Sequence, residues 1–138
     1  VFRFKTKGTG DRGSVLVEFV LSLIAFLLFA YGLVAISLWG IAGEFVQHAA
    51  HEAAGVYAAI LDEDRARERV DLVLVRWGYV FVDPESVKVS FSHDRENVSV
   101  VVSAAPRVRK LYVFDLGRVE KKSSCALECR FRPGGCGI

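Results

Sequence analysis

Hydrophobic and polar positions divide this chain into stretches of different period. From Phe19 to Gly43 there are 25 residues without one Asp, Glu, Lys or Arg. A helix of that length reaches roughly 37 Å, enough to cross a bilayer hydrocarbon core of about 30 Å. The run exceeds the apolar core of a secretory signal peptide, about 7–15 residues. Its small residues Gly32, Gly40, Ala42 and Gly43 suit close contact between helices. Past Gly43, the residues Phe45, Ala49, Glu52, Val56 and Ala59 recur at helical spacing among many alanines. The helix is expected to continue to about Leu61, roughly 70 Å from Ser14. Gly55 is a weak point inside it, costing about 1 kcal/mol relative to Ala.

Asp62-Glu63-Asp64 interrupts that pattern and can cap a second helix. Val70, Val73, Leu74 and Trp77 follow at i, i+3, i+4 and i+7, which predicts one apolar face. The helix should end near Gly78, ahead of Asp83-Pro84. The period then changes to two. Val87, Val89 and Phe91 alternate with Lys88, Ser90 and Ser92, and Val98, Val100 and Val102 with Ser99 and Ser103. These are two strands joined by the polar loop 93–97. Such a sheet has one apolar face, to be covered by the second helix and the outer part of the first. Leu111-Tyr112-Val113-Phe114 is an apolar run open to three readings: an edge strand, a core plug, or a surface patch for neighbouring subunits. A third strand is expected from about Arg118 to Glu128. The tail from Arg132 to Ile138 reads as flexible. The fold class is therefore α+β: a long N-terminal membrane-spanning helix that continues into a small outer domain. That domain has a second helix and a short antiparallel sheet of about three strands.

Charge sets the orientation. Residues 1–13 carry Arg3, Lys5, Lys7 and Arg12 against Asp11, a net +3. The positive-inside rule places this leader in the cytoplasm and residues 44–138 outside the membrane. The outer part has 14 basic and 14 acidic residues, so the chain's formal +2 is the leader combined with Glu18. No basic excess points to nucleic acid as a partner. The organisation is a basic leader over 1–13, a transmembrane helix over 14–43 and an extracytoplasmic domain over 44–138.

Glu18 is the anomaly. A carboxylate in a spanning helix costs about 2.5–3.5 kcal/mol at the centre and less near the interface. Either it marks the cytoplasmic end of the helix and reaches the headgroups, or it needs a partner charge that arises later, such as a new N-terminal amine.

Gly13 followed by Ser14-Val15-Leu16-Val17-Glu18-Phe19 resembles the class III signal of type IV pilin-like proteins. The aromatic after the Glu resembles the variant of tight-adherence (Flp/Tad) pilus systems. The stretch from Gln47 to Ala59 is similar to the alanine-rich segment that follows the membrane helix in TadE/TadF-like minor pseudopilins. This chain has His51 where the family usually has Arg, and Ala54 where it prefers Gly. It also lacks the Pro that many such helices carry shortly after the Glu, so a straighter helix is expected. The resemblance implies cleavage by a prepilin peptidase between Gly13 and Ser14. It makes Glu18 the assembly residue and Phe19 part of the recognition signal. The partners it implies are other pilin or pseudopilin subunits, met through the N-terminal helix, and membrane lipid before assembly. The freed amine could neutralise Glu18, and such a pair in a low-dielectric bundle is costly to break. Two other structural readings remain: the main subunit of a filament, or an uncleaved membrane anchor with an outer recognition domain.

Other chemistry is sparse. Glu44, His48, His51 and Glu52 share a helical face, but the spacing departs from His-Glu-x-x-His, and a solvated polar face is the expectation over a metal site. Cys125, Cys129 and Cys136 fall on the side that permits disulfides. Cys125 and Cys129 on one strand would lie about 13 Å apart, too far to bridge. A Cys129–Cys136 bridge across Pro133-Gly134-Gly135 is easier, which leaves Cys125 buried or free to cross-link subunits. A thiol- or metal-dependent outer module is the alternative from a different class. Asn97-Val98-Ser99 is a glycosylation sequon in form. No phosphate loop or nucleophile–base arrangement stands out, so neither an enzyme activity nor a cofactor is expected.

Overall fold

Nothing in the apolar run interrupts a helix, since it holds neither proline nor charge, and α1 extends from Asp11 to Ile60. The computed structural model describes residues 11–94 and 96–127. The chain divides into two compact units, one ending at Val34 and one beginning at Ala35, and α1 belongs to both.

In the first unit, every α1 side chain from Gly13 to Phe29 is exposed. Apolar groups with no protein cover need another apolar phase. The most apolar 18-residue window of α1 has a mean hydropathy of 2.6 and is only 6% buried, as fits a membrane span by length and composition.

The second unit builds its core on the alanine-rich part of α1. Ala42, Val46, Ala49, Ala50, Ala53, Ala54, Tyr57 and Ala58 are buried. This stripe is broader than the sequence spacing implies and is rotated from it: Phe45 and Val56 are only half-buried. The reason is that α1 shares its buried cluster with two partner layers, and most of the large buried side chains come from them. One layer is a three-stranded antiparallel sheet in the order β1 (Lys88–His93), β2 (Asn97–Ala104), β5 (Val119–Ala126). Val98, Val100, Val102 and Ala104 of the central strand are fully buried. The other layer is α2 (Glu63–Val73), which contributes Ala66 and Val70. The expected strand pair and third strand are all present.

Between the helices, Leu61 adopts a left-handed conformation (φ 53°), and its N–H donates to the Tyr57 carbonyl at 2.9 Å. Asp62 then caps α2, its carboxylate accepting from the Asp64 and Arg65 amides. The helical path does not end at Gly78 as its sequence position implies. It widens into a π turn over Leu74–Gly78 and continues as α3 (Tyr79–Phe81). A π turn is underwound, so residues past it rotate away from the α-helical prediction. Leu74 and Gly78 are buried, whereas Trp77, expected on the buried face, is 65% exposed. Gly78 has a specific reason to lack a side chain: a Cβ there would lie 2.7 Å from Leu74 Cδ2.

The apolar run 111–114 forms neither part of the main sheet nor a core plug. It is a separate small hairpin, β3 (Lys110–Leu111) paired with β4 (Phe114–Asp115), with Tyr112 and Val113 at its tip.

Candidate functional site on the long helix

The four residues singled out at the start of the apolar run lie in the first turns of α1. Gly13, Ser14, Glu18 and Phe19 are all exposed, and Phe19 remains 65% accessible. A Cβ built on Gly13 would meet nothing within 4 Å. Gly13 is therefore not required by crowding among the described residues.

Gly13, Val17 and Leu21 line one side of a shallow groove, and Ser14, Glu18 and Ser22 line the other. Each set recurs at i, i+4 and i+8, the rows that follow one helix face. Ser14, Glu18 and Ser22 thus make a polar row beside an apolar one. Ser22 was not among the sequence candidates, although polar residues every four positions at the head of the apolar run were a readable signal. Hydroxyls one turn either side of a carboxylate are hydrogen-bond donors of the type that lowers the cost of a charge in an apolar medium.

The polar face just past the apolar run does not gather as a metal set. Among the described residues, no group of three or more His, Cys, Asp or Glu is arranged to hold a metal ion. Two of the four candidates have other partners. His51 Nδ1 lies 3.3 Å from Ser123 Oγ on β5. Glu52 accepts from Arg69 Nε at 3.1 Å and Nη2 at 2.8 Å, tying α1 to α2. Those hydrogen bonds from Arg69, with its charge, hold the Glu52 carboxyl below its ordinary pKa against a smaller opposing effect of burial. Glu44 and His48 remain on a shallow exposed surface with Phe45, Gln47 and His51. Further along α1, Tyr57 lies 3.3 Å from His93 Nδ1 through its hydroxyl and packs its ring at 5.1 Å from Phe91.

Cys125 is a half-buried free thiol on β5, opposite Val98. Cys129 and Cys136, the pair expected to bridge, lie outside the described residues, as does the tail from Arg132.

Residues 13–55 match the family model of TadE, the TadE-like proteins, consistent with a TadE/TadF-like Tad pilus protein. The match starts at Gly13 and covers α1 as far as Gly55. No curated protein and no solved structure matches the chain.

Proposed function

We propose, with the TadE-like match as premise, that this Tad pilus-associated chain is a minor pseudopilin. In this reading it is a structural subunit rather than an enzyme. A prepilin peptidase cuts it between Gly13 and Ser14, and it assembles with other pilin or pseudopilin subunits through the N-terminal part of α1. The long apolar helix and the family fit a membrane-anchored protein. In the proposed topology residues 1–13 lie in the cytoplasm, and the second unit lies outside the cytoplasmic membrane.

One observation carries the reading: a glycine with open space around it stands directly before an exposed Ser14–Glu18–Ser22 row at the head of an uncovered apolar helix. An unhindered glycine suits a protease subsite. A cut there makes Ser14 the new N-terminus, with its ammonium one helical turn from the Glu18 carboxylate. The carboxylate then also lies in the first turns of the helix, where the macrodipole favours negative charge. Within one subunit or between neighbours, the two charges neutralise each other. A subunit out of register leaves Glu18 unpaired in a low-dielectric bundle, which disfavours misassembly.

The test is the intact mass and N-terminal sequence of the protein taken from its native membrane or filament. A chain beginning at Ser14 is expected. Retention of residues 1–13 would reduce α1 to a plain anchor and refute processing. Replacing Gly13 with Leu should leave the uncut precursor in the membrane.

A further inference from the structure

The hairpin β3–β4 is an apolar tip on a basic base, and its place in the second unit is informative. Val113 is 91% exposed, Phe114 69% and Tyr112 47%. The surrounding segment 107–118 carries Arg107, Arg109, Lys110 and Arg118 against Asp115 alone, in an outer domain whose net charge is zero. The segment therefore carries a net +3, with Arg109 at 3.9 Å from Asp115 and Arg118 donating to Ser103 Oγ and to the Ser86 carbonyl.

Contacts within the second unit fix the end of the sheet from which the hairpin issues. A Cβ built on Gly43 would lie 3.7 Å from Val119 Cγ1 and from Lys121 Cε, at the start of β5. Phe45 stacks on Phe81 at 5.6 Å between ring centroids. Val82 bridges to Pro106, and the Arg107 amide donates to the Phe81 carbonyl at 2.8 Å. Arg107 Nε also donates to the Tyr79 carbonyl. The hairpin thus leaves and rejoins the sheet at the level of Gly43–Phe45, where the charge-free run ends. The other end of the sheet, with His93, lies beside Tyr57, more than three turns further along α1. One turn before Gly43, the half-buried Trp39 has its Nε1 shielded without a hydrogen-bond partner among the described residues. Trp is the residue type favoured at the membrane–water boundary.

We infer that the β3–β4 hairpin is a second, peripheral membrane contact: its tip enters the outer leaflet, and its basic base meets anionic phospholipid headgroups. The inference rests on the proposed membrane topology. Aromatic and apolar side chains at the tip gain by entering the headgroup–acyl boundary, and each Lys or Arg near an anionic surface adds about 1 kcal/mol. Lipid is the occupant that the basic ring and the continuity with the apolar run both favour. The tip cannot serve lipid and a neighbouring subunit at once, so leaving the leaflet during assembly would uncover it.

The test uses the full chain reconstituted in vesicles of phosphatidylcholine with or without phosphatidylglycerol. A polarity-sensitive fluorophore is attached to one introduced cysteine, Val113→Cys, Asn97→Cys or Ile24→Cys, with Cys125, Cys129 and Cys136 changed to Ser. Lipids spin-labelled near the headgroup serve as quencher for positions 113 and 97, and lipids labelled deep in the acyl chain for position 24. Quenching at position 113 is expected to exceed that at 97 several-fold and to fall when phosphatidylglycerol is omitted. Equal quenching at 113 and 97, an unquenched but blue-shifted label at 113 (a protein-covered tip), or no dependence on anionic lipid would each overturn the inference. Position 24 separates the premises: quenched there but not at 113, the span stands and the hairpin contact fails; unquenched at 24, the span itself fails. Should the serine background fail to fold, amide hydrogen exchange of the unaltered chain over 110–116 replaces the label, with slower exchange in anionic than in zwitterionic vesicles expected and equal exchange refuting the contact.

Discussion

Two glycines in helical segments of the second unit allow one chemical change to be made in opposite surroundings. At Gly55 a Cβ would meet nothing within 4 Å, and the residue is exposed. Gly55→Ala should stabilise the domain by about 0.5–1 kcal/mol, because Ala loses less backbone entropy in a helix. At Gly78 the same Cβ would lie 2.7 Å from Leu74 Cδ2 and 3.3 Å from Leu74 Cβ. Leu74 is fully buried, so its side chain must shift within a close-packed core. Forcing it off its rotamer or shifting the π turn should cost about 1–3 kcal/mol. Part of the propensity gain is common to both variants, so the comparison isolates the clash. Gly78→Ala should be less stable than Gly55→Ala by about 1–3 kcal/mol, at roughly 4–8 °C per kcal/mol for a domain of this size. Thermal unfolding of the full chain in detergent, followed by near-ultraviolet circular dichroism, measures both. A Gly78→Ala protein as stable as Gly55→Ala would show that Leu74 does not confine position 78, and would remove this account of why the π turn needs glycine.

Glu18→Ala should still be cut after Gly13 but fail to enter filaments, read by comparing processed protein in membrane and filament fractions; normal incorporation would refute an assembly role for the carboxylate. Because Arg69 lowers the folded-state pKa of Glu52, the pair stabilises the fold above the unfolded carboxylate pKa and loses that contribution as pH falls through the lower folded value. Both side chains are partly exposed, so Glu52→Gln should cost at most about 1 kcal/mol at neutral pH and almost nothing in strong acid, by denaturant unfolding at the two conditions. Tyr57→Phe removes the hydroxyl that meets His93 while keeping the buried ring, and should cost about 1 kcal/mol or less; a larger loss would mean that this contact orders the strand connection.

The elements that followed a clean period were legible in the sequence. The alternation of Val98, Val100 and Val102 placed the central strand because it reports burial directly, and the charge-free run placed α1 because it reports a segment that must leave water. Asp62 was legible as a cap because its side chain acts on amides only two and three residues away. The phase beyond Leu74 was not legible. The i, i+3, i+4, i+7 rule assumes α geometry, and one underwound turn takes Trp77 off the face that the rule assigns it. The fate of 111–114 was open for a related reason: hydrophobicity says that a segment seeks an apolar environment, but not whether protein or lipid supplies it. At the candidate site, Gly13, Ser14, Glu18 and Phe19 came from a local motif that survives without tertiary context. Ser22 belongs to a row that only the helix face makes evident.

The helical state of residues 11–13 has a further consequence for the proposed cleavage. The i to i−4 ladder of α1 gives the amides of Val15, Leu16 and Val17 the carbonyls of Asp11, Arg12 and Gly13 as acceptors. A cut after Gly13 therefore does more than release a positive leader. It strips three backbone donors of their partners beside a newly made ammonium, at the end of a segment with little water around it. Removing the leader would bring the unsatisfied end of the helix to Ser14, where it becomes a concentrated demand for acceptors. A carboxylate or phosphate is the group that meets such a demand.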